Sequence, residues 1–538
     1  MSARYLGPVP LDTVAPIKSR RRGKWALIIF LVVITAALGG VWLWPDVQRQ
    51  DKLIRTAPLG LAAGAGFLLW VVFGSGWPRR ARWTVFIGCG VVMLFCRFGL
   101  RISGVTGDLL PIVELRWTRT RSEAATELSP ASLRTNPLPA VVESATNTFS
   151  YPQFLGPQRN GVLPGPSLAR DWSSAPPQEL WRCAVGAAWS GFALVGSRAL
   201  TQEQRGPEEL VTCRDAQTGT LLWSHADPSR YATTIAGEGP RATPTILSNR
   251  VFTLGGAGVL NCLDLATGKV LWSTNTLAQF GLAKPPDWGV ACSPLLHGSA
   301  VIVTVGGAGH TLVAYDQNTG AKLWNAGTDE AQWSSPIHAV LAGVPQILTF
   351  NDSLAAHDPQ TGRVLWQHPW PGAYPRVTVP LLLAQDRVLL STGYGAGAEL
   401  LQITRDAGRW HARRLWKSIR MKSKFGNLFH LDGYIYGLDD GALACIDVNT
   451  GELKWKGERY GHGQMILVDK LLLLTAENGD LVLIEPHPSE PRELARHKVF
   501  TAKTWNPPAL AGDLLLVRND REAVALRLPL ALTPARQP

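Results

Sequence analysis

A chain of 538 residues with 46% hydrophobic and 17% charged side chains is too apolar to be disordered and too long for one small core. Its formal net charge of +12 does not mark a nucleic-acid partner, because basic runs flank apolar segments. "KSRRRGK" at 18–24 carries five positive charges and "PRRAR" at 78–82 carries three, which is the signature of membrane topology.

The N-terminal region predicts three transmembrane helices. Residues 25–44, "WALIIFLVVITAALGGVWLW", are uncharged over 20 positions, enough helix for a hydrocarbon core of about 30 Å. Residues 58–77 repeat the pattern, and 83–100 form a shorter third span with Arg97 near its end, able to reach the interface. Trp25, Trp42, Trp44, Trp70, Trp77 and Trp83 sit near the span ends, as interfacial aromatics do. A cleaved signal peptide is the competing reading of the first span, and two further spans weigh against it. The tail 1–24 and the 78–82 loop are strongly basic. The intervening "PDVQRQDKLIRTA" holds three positive and two negative charges. The positive-inside rule puts the tail in the cytoplasm and everything after residue 100 across the membrane. The expected location is therefore a bacterial inner membrane, with the following domain on its periplasmic side. Residues 101–150 are expected to be a juxtamembrane segment and linker. "RISGVTGDLLPIVELRW" is amphipathic enough to lie at a surface, and 119–148, rich in Ser, Thr, Ala and Pro, reads as flexible.

From residue 151 to about 530 the chain repeats itself, and 531–538 is a short tail. "TCRDAQTGTLLW", "NCLDLATGKVLW", "VAYDQNTGAKLW", "AAHDPQTGRVLW" and "ACIDVNTGELKW" begin at 212, 261, 313, 355 and 444. Each places an Asp eight residues before a Trp, with Thr-Gly between them: Asp215/Trp223, Asp264/Trp272, Asp316/Trp324, Asp358/Trp366 and Asp447/Trp455. Alternating apolar residues before the Asp predict a strand. The Asp carboxylate caps its own turn, and the Gly supplies positive φ. A second strand ends in the Trp, a large ring at one fixed place per repeat, suited to docking between sheets.

From Trp223 the tryptophans are spaced by 49, 52 and 42 residues. Degenerate copies end at Trp416 and near Arg496, and "ELWRCAVG" places Trp181 upstream. A period of 40–50 with four strands per unit predicts a β-propeller. Thr243-Pro244, Ser293-Pro294 and Ser335-Pro336 mark starts of inner strands. Three strand-like runs after 496 lack a fourth, and "ELWRCAV" is a strand without its blade. Joining them closes the ring at eight blades, with seven as the alternative. The expected fold is an all-β, eight-bladed propeller preceded by three transmembrane α-helices.

These repeats resemble the pyrroloquinoline quinone (PQQ) repeat propellers. That family includes quinoprotein alcohol and glucose dehydrogenases and the non-enzymatic lipoprotein of the outer-membrane β-barrel assembly machinery. "YPQFLGPQRNG" at 151–161, "GPRATPTILSNRVFTLGGAGVLNCLD" from Gly239, "YGHG" at 460–463 and "TWNPPAL" at 504–510 resemble bacterial PQQ-binding-like proteins within it. The resemblance implies the fold, whereas one propeller carries many functions.

Family dehydrogenases have two adjacent cysteines that stack on PQQ, a Ca²⁺ site and an Asp base. Here the seven cysteines are Cys89, Cys96, Cys183, Cys213, Cys262, Cys292 and Cys445, and no two are adjacent. Cys213, Cys262 and Cys445 precede a repeat Asp by two residues, where Ala314 and Ala356 stand in other copies, so they read as small core residues. The 11 histidines show no metal-ligand spacing. "GGAG" at 255–258 and "GGAGH" at 306–310 read as turn glycines.

One candidate site remains. Residues preceding the inner strands include Trp189, Arg241, Trp288, Trp333, Arg376, Lys424, His462 and Trp505. Gathered at one mouth of the channel, they would form a basic, aromatic-lined funnel for a planar anion such as PQQ, with Arg and Lys on its carboxylates. The plainer reading is that they satisfy backbone groups and pack blades together, and it is preferred. The expected function is a membrane-anchored, exported binding and scaffolding module that meets other envelope proteins through propeller loops. The alternative is a membrane-bound PQQ-dependent dehydrogenase.

Overall fold

The computed structural model describes residues 18–44, 49–118, 150–370, 372 and 374–531. The basic tail up to residue 17, the expected flexible linker at 119–148 and the last seven residues lie outside the described residues. The chain divides into two units, Met1–Arg101 with Asp108–Trp117, and Ile102–Gly107 with Thr118–Pro538.

The first unit contains α1 (Lys18–Leu43), α2 (Arg49–Phe73) and α3 (Arg79–Gly99), each long and apolar enough to cross a membrane by length and composition. α2 starts nine residues before the expected span. "RQDKLIRTA" is good helix-forming sequence, with Asp51 in the first turn, where the helix dipole favours an acid. It runs through Pro58 and stops at Phe73 rather than 77, because Gly76 adopts φ 64° and Pro78 disfavours helix in the residue before it. Trp42 Nε1 donates to Thr56 Oγ1 at 3.1 Å and Lys52 Nζ to the Trp42 carbonyl at 2.9 Å, tying the end of α1 to α2.

The second unit is the predicted eight-bladed ring. Blade one runs from Ala193–Val195 to Leu221–Asp227. Blades two to seven follow in chain order, with outer strands at Val270–Asn275, Lys322–Ala326, Val364–Pro369, Arg409–Ser418, Leu453–Arg459 and Arg492–Lys498. Blade eight joins Ala509–Ala511, Leu514–Arg518 and Glu522–Arg527 to Gln178–Ala184, whose Trp181 lies opposite Ala525. The last blade is thus shared by both ends of the domain, as expected for eight rather than seven, and no open sheet edge remains at the seam.

The repeat residues explain how the blades hold together. In blade one the Asp215 carboxylate accepts the Gln217 and Thr218 N–H groups at 3.1 and 2.9 Å, and the Thr218 hydroxyl at 3.0 Å. Asp264, Asp316, Asp358 and Asp447 make the same kind of turn. The glycine that follows has φ of 71–73° in all five copies, a region that costs other residues dearly. The Trp of the preceding blade lies on that glycine. A Cβ on Gly219, Gly268, Gly320, Gly362 or Gly451 would overlap the indoles of Trp181, Trp223, Trp272, Trp324 or Trp416, respectively. The indole N–H then bonds the carbonyl one residue past the next blade's Asp: Trp181 to Ala216, Trp223 to Leu265, Trp272 to Gln317 and Trp416 to Val448, at 2.9–3.0 Å. Trp366 faces blade five, whose copy is degenerate, and turns instead to Gln346 Oε1 of its own blade at 2.8 Å.

The cysteines belong to this device. Cys213, Cys262 and Cys445 are the cross-strand partners of Trp223, Trp272 and Trp455, and Ala314 and Ala356 of Trp324 and Trp366. Direct partners share one face of the sheet, so a small residue there leaves room for the ring. Burial pushes the Cys213 thiol up to about 12 and the Cys445 thiol up to about 11, which removes thiolate reactivity at neutral pH.

The Thr-Pro and Ser-Pro signals form a belt near the axis. Gly191 N–H donates to Thr243 Oγ1, Thr243 N–H to Ser293 Oγ and Ser293 N–H to Ser335 Oγ, at 3.0–3.2 Å. Each hydroxyl accepts from the blade before it, and the proline behind holds its strand start extended. "YPQFLGPQRNG" crosses the inner edges of the ring. Ser150–Tyr151 pairs with blade one and Val162–Leu163 with blade seven. Between them Arg159 donates to the carbonyls of Ser293, Pro294 and Pro336 at 3.0–3.2 Å. Burial lowers its guanidinium to about 10, leaving it charged at neutral pH.

Candidate functional site

The loops entering the inner strands bring Trp189, Trp288, Trp333, His462 and Trp505 together, around a residue the sequence reading missed. Phe425 lies 6.0 Å from Trp288, 4.9 Å from Trp505 and 5.7 Å from His462, ring centre to ring centre. Trp189 packs on Trp505 at 4.9 Å and Trp333 on Trp288 at 4.8 Å. The rings are tilted or edge-on, so they fill the mouth with mutual contacts, geometries favoured by aromatic quadrupoles. Two indoles are also fixed by backbone: Trp189 Nε1 donates to the Ala236 carbonyl at 2.7 Å and Trp333 Nε1 to the Gly289 carbonyl at 3.0 Å.

The cations divide into two groups. Arg241 and Arg376 fold back on their own loops. Arg241 donates to the carbonyls of Ala236 and Gly237 at 2.9 and 3.2 Å and to that of Gly239, and lies 4.4 Å over the Tyr231 ring. Arg376 serves Trp370, Gly372 and Tyr374 in the same way, at 2.6–3.0 Å. Lys424 and the unforeseen Lys503 do reach the mouth. Lys424, only 1% exposed, pairs with Asp440 at 3.7 Å and lies 5.0 Å over Tyr394. Lys503 sits 4.7 and 3.8 Å over the rings of Trp189 and Trp505. Glu477 completes the set, accepting Trp505 Nε1–H at 3.0 Å and the His462 backbone N–H at 2.9 Å.

These residues do not fit a planar tricarboxylate. Arg241 and Arg376 are committed to backbone carbonyls of their own loops, Phe425 stands between the tryptophan pairs, and Glu477 and Asp440 would repel carboxylates. Lone glutamates and lysines in loops carry no periodic signal, which is why Glu477, Lys503 and Phe425 were not legible beforehand.

Behind Arg241, the buried Glu209 carboxylate accepts the Gly256 N–H at 3.1 Å with both oxygens, so "GGAG" at 255–258 serves an internal acid. Burial raises Glu209 to about 7, while Gly256 and Arg241 oppose the rise. A carboxyl raised in the fold stabilises it below its unfolded value near 4.5, and this contribution is lost as pH climbs through 7. Between pH 5 and pH 8 the wild type is expected to lose about 2 kcal/mol relative to Glu209→Gln, measured as the difference in unfolding free energy.

Eight antiparallel blades stitched by Asp-Thr-Gly turns and tryptophans give this domain the fold of a PQQ-like repeat propeller, and sequence comparison supports a likeness to that family. Residues 207–457 match a family model described as outer membrane protein assembly factor BamB. The outer membrane protein assembly factor BamB of Burkholderia pseudomallei (strain K96243) is 23% identical over 360 residues, 63% of this chain and 85% of that protein. Among solved structures, quinohemoprotein alcohol dehydrogenase from Comamonas testosteroni is similar at a TM-score of 0.53 and 12% identity, over 74% of this chain and 83% of that one. BamB from Moraxella catarrhalis is similar at a TM-score of 0.47 and 14% identity, over 65% of this chain and 100% of that one. At 12% identity the likeness to the dehydrogenase speaks to the fold alone.

Proposed function

We propose that this protein is a binding and scaffolding module, anchored by α1–α3 in a bacterial inner membrane, whose propeller receives other envelope proteins on the extracytoplasmic side. The observation that carries this reading is the mouth itself, where rings pack on one another and the charged groups face protein. The repeat adds no chemistry, since its Asp, Gly, Cys and Trp residues all serve turns and stitches. Similarity to a protein named as an outer membrane assembly factor supports an assembly role in general. Anchoring is supported by the helices' apolar surface, with Leu61, Leu43 and Phe73 77%, 84% and 82% exposed, which suits lipid and is costly in water. Rigid propeller rims suit protein partners because they display many loops. Site-specific photocrosslinkers at the exposed loop residues Ile235 and Tyr374, in intact cells, test the reading. A discrete adduct with another envelope protein, dependent on position, is expected. Adducts with no protein at any rim position would refute it. Protease added to spheroplasts should digest the propeller, whereas full protection would reverse the orientation.

A further inference from the structure

The aromatic mouth already holds polypeptide. Residues Ile102–Gly107 pack with the propeller, and three charged side chains address their backbone. Lys424 Nζ donates to the Gly107 carbonyl at 3.0 Å and Lys503 Nζ to the Val105 carbonyl at 2.7 Å, while Glu477 Oε1 accepts the Gly107 N–H at 2.6 Å. Bonds with one ionised partner are shorter and stronger than neutral ones. Each of the three is held from behind: Lys424 by Asp440 and the Tyr394 ring, Lys503 by the faces of Trp189 and Trp505, and Glu477 by the Trp505 indole and the His462 N–H. The groups are therefore preorganised before any occupant arrives. Residue 107 leaves no space for a side chain, because a Cβ there would overlap the His462 ring.

We propose that this mouth is a recognition site for a glycine-bearing turn of polypeptide, and that the chain's own Ile102–Gly107 segment is its resident occupant. The arrangement matches peptide chemistry. Two ammonium groups take carbonyls and one carboxylate takes an N–H, so the occupant contributes both donors and acceptors. An anion would place its charge against Glu477, and an apolar ligand would supply none of the three hydrogen bonds that the backbone of Val105 and Gly107 supplies. The glycine requirement sets register, since of the two glycines in the segment Gly107 meets the His462 ring, whereas a Cβ on Gly104 would meet nothing nearer than Lys503 Nζ at 3.8 Å. Any other polypeptide using this mouth must first displace the resident segment. The proposal stands independently of the scaffolding role and of the membrane anchor.

The test uses full-length protein in detergent. Acetylation of Lys503 is followed by mass spectrometry and compared with that of exposed Lys269. In the wild type Lys503 is expected to react about tenfold more slowly, and Gly107→Leu should abolish most of that difference while leaving the far-UV spectrum unchanged. A fluorescent peptide of residues 101–109, RISGVTGDL, should bind the Gly107→Leu protein, but bind neither the wild type nor, when it carries the same Gly107→Leu change, the variant. Should the variant fail to fold, hydrogen exchange serves instead. Amides of 103–107 are expected to be protected about 100-fold in the wild type and at least tenfold less in Glu477→Gln. Lys503 as reactive as Lys269 in the wild type, unprotected 103–107 amides, or equal peptide binding to both proteins would overturn the proposal.

Discussion

Replacing Trp272 by alanine is expected to lower the stability of the propeller by about 3–5 kcal/mol. Three losses combine. The ring is 8% exposed, so its removal leaves a cavity between blades two and three. The indole bond to the Gln317 carbonyl disappears and leaves a buried acceptor. The support for Gly320, whose backbone is held at φ 71° beneath the ring, also goes. Denaturant unfolding followed by far-UV circular dichroism measures the effect. Trp272→Phe should retain most of the burial and cost about 1 kcal/mol, the bond alone. If Trp272→Ala cost under 1 kcal/mol, the tryptophans would not be stitching the ring.

Arg518→Ala is expected to be at least as damaging, at about 3–5 kcal/mol, because it opens the seam where the two ends of the domain meet. Arg518 is fully buried and lies on the second strand of blade eight. Its guanidinium donates to the Gly186 carbonyl at 2.7 Å, the Gln202 carbonyl at 2.8 Å and Thr201 Oγ1 at 2.9 Å. Gln202 and Thr201 belong to blade one and Gly186 follows the closing strand, so one side chain bridges all three parts. Burial lowers the guanidinium to about 10, leaving it charged at physiological pH. Without it, three buried acceptors lose their donor. Hydrogen exchange should rise first in Gln178–Ala184, the strand that closes blade eight. Uniform exchange across all blades would mean that closure is not the weak point.

The ring was legible because its instructions are local and repeated. An Asp, a Thr-Gly and a Trp at fixed offsets specify a turn, and the same offsets bring each Trp onto the next turn. Even the erosion at blade five could be read, although not the consequence that Trp366 would turn to Gln346. The small residue two places before the Asp was read as core, and pairing with the Trp supplies the reason. The candidate site was legible only in part. Trp189, Trp288, Trp333, His462 and Trp505 meet because equivalent loops share one end of a ring. Arg241 and Arg376 stand in equivalent loops, yet carbonyls of their own turns take the guanidinium. Phe425, Lys503 and Glu477 are single residues whose roles depend on contacts distant in sequence. The same holds for Val105 and Gly107, whose backbone engages the mouth, and for "YPQFLGPQRNG", which crosses the inner edges through Arg159.

Adding PQQ and Ca²⁺ to the purified full-length protein, removing free cofactor by gel filtration, and recording bound quinone absorbance together with alcohol- or glucose-dependent dye reduction separates a binding body from a quinone enzyme. A scaffolding propeller with a protein-filled mouth predicts no retained quinone and no dye reduction. One quinone retained per chain, with substrate-dependent dye reduction, would contradict it.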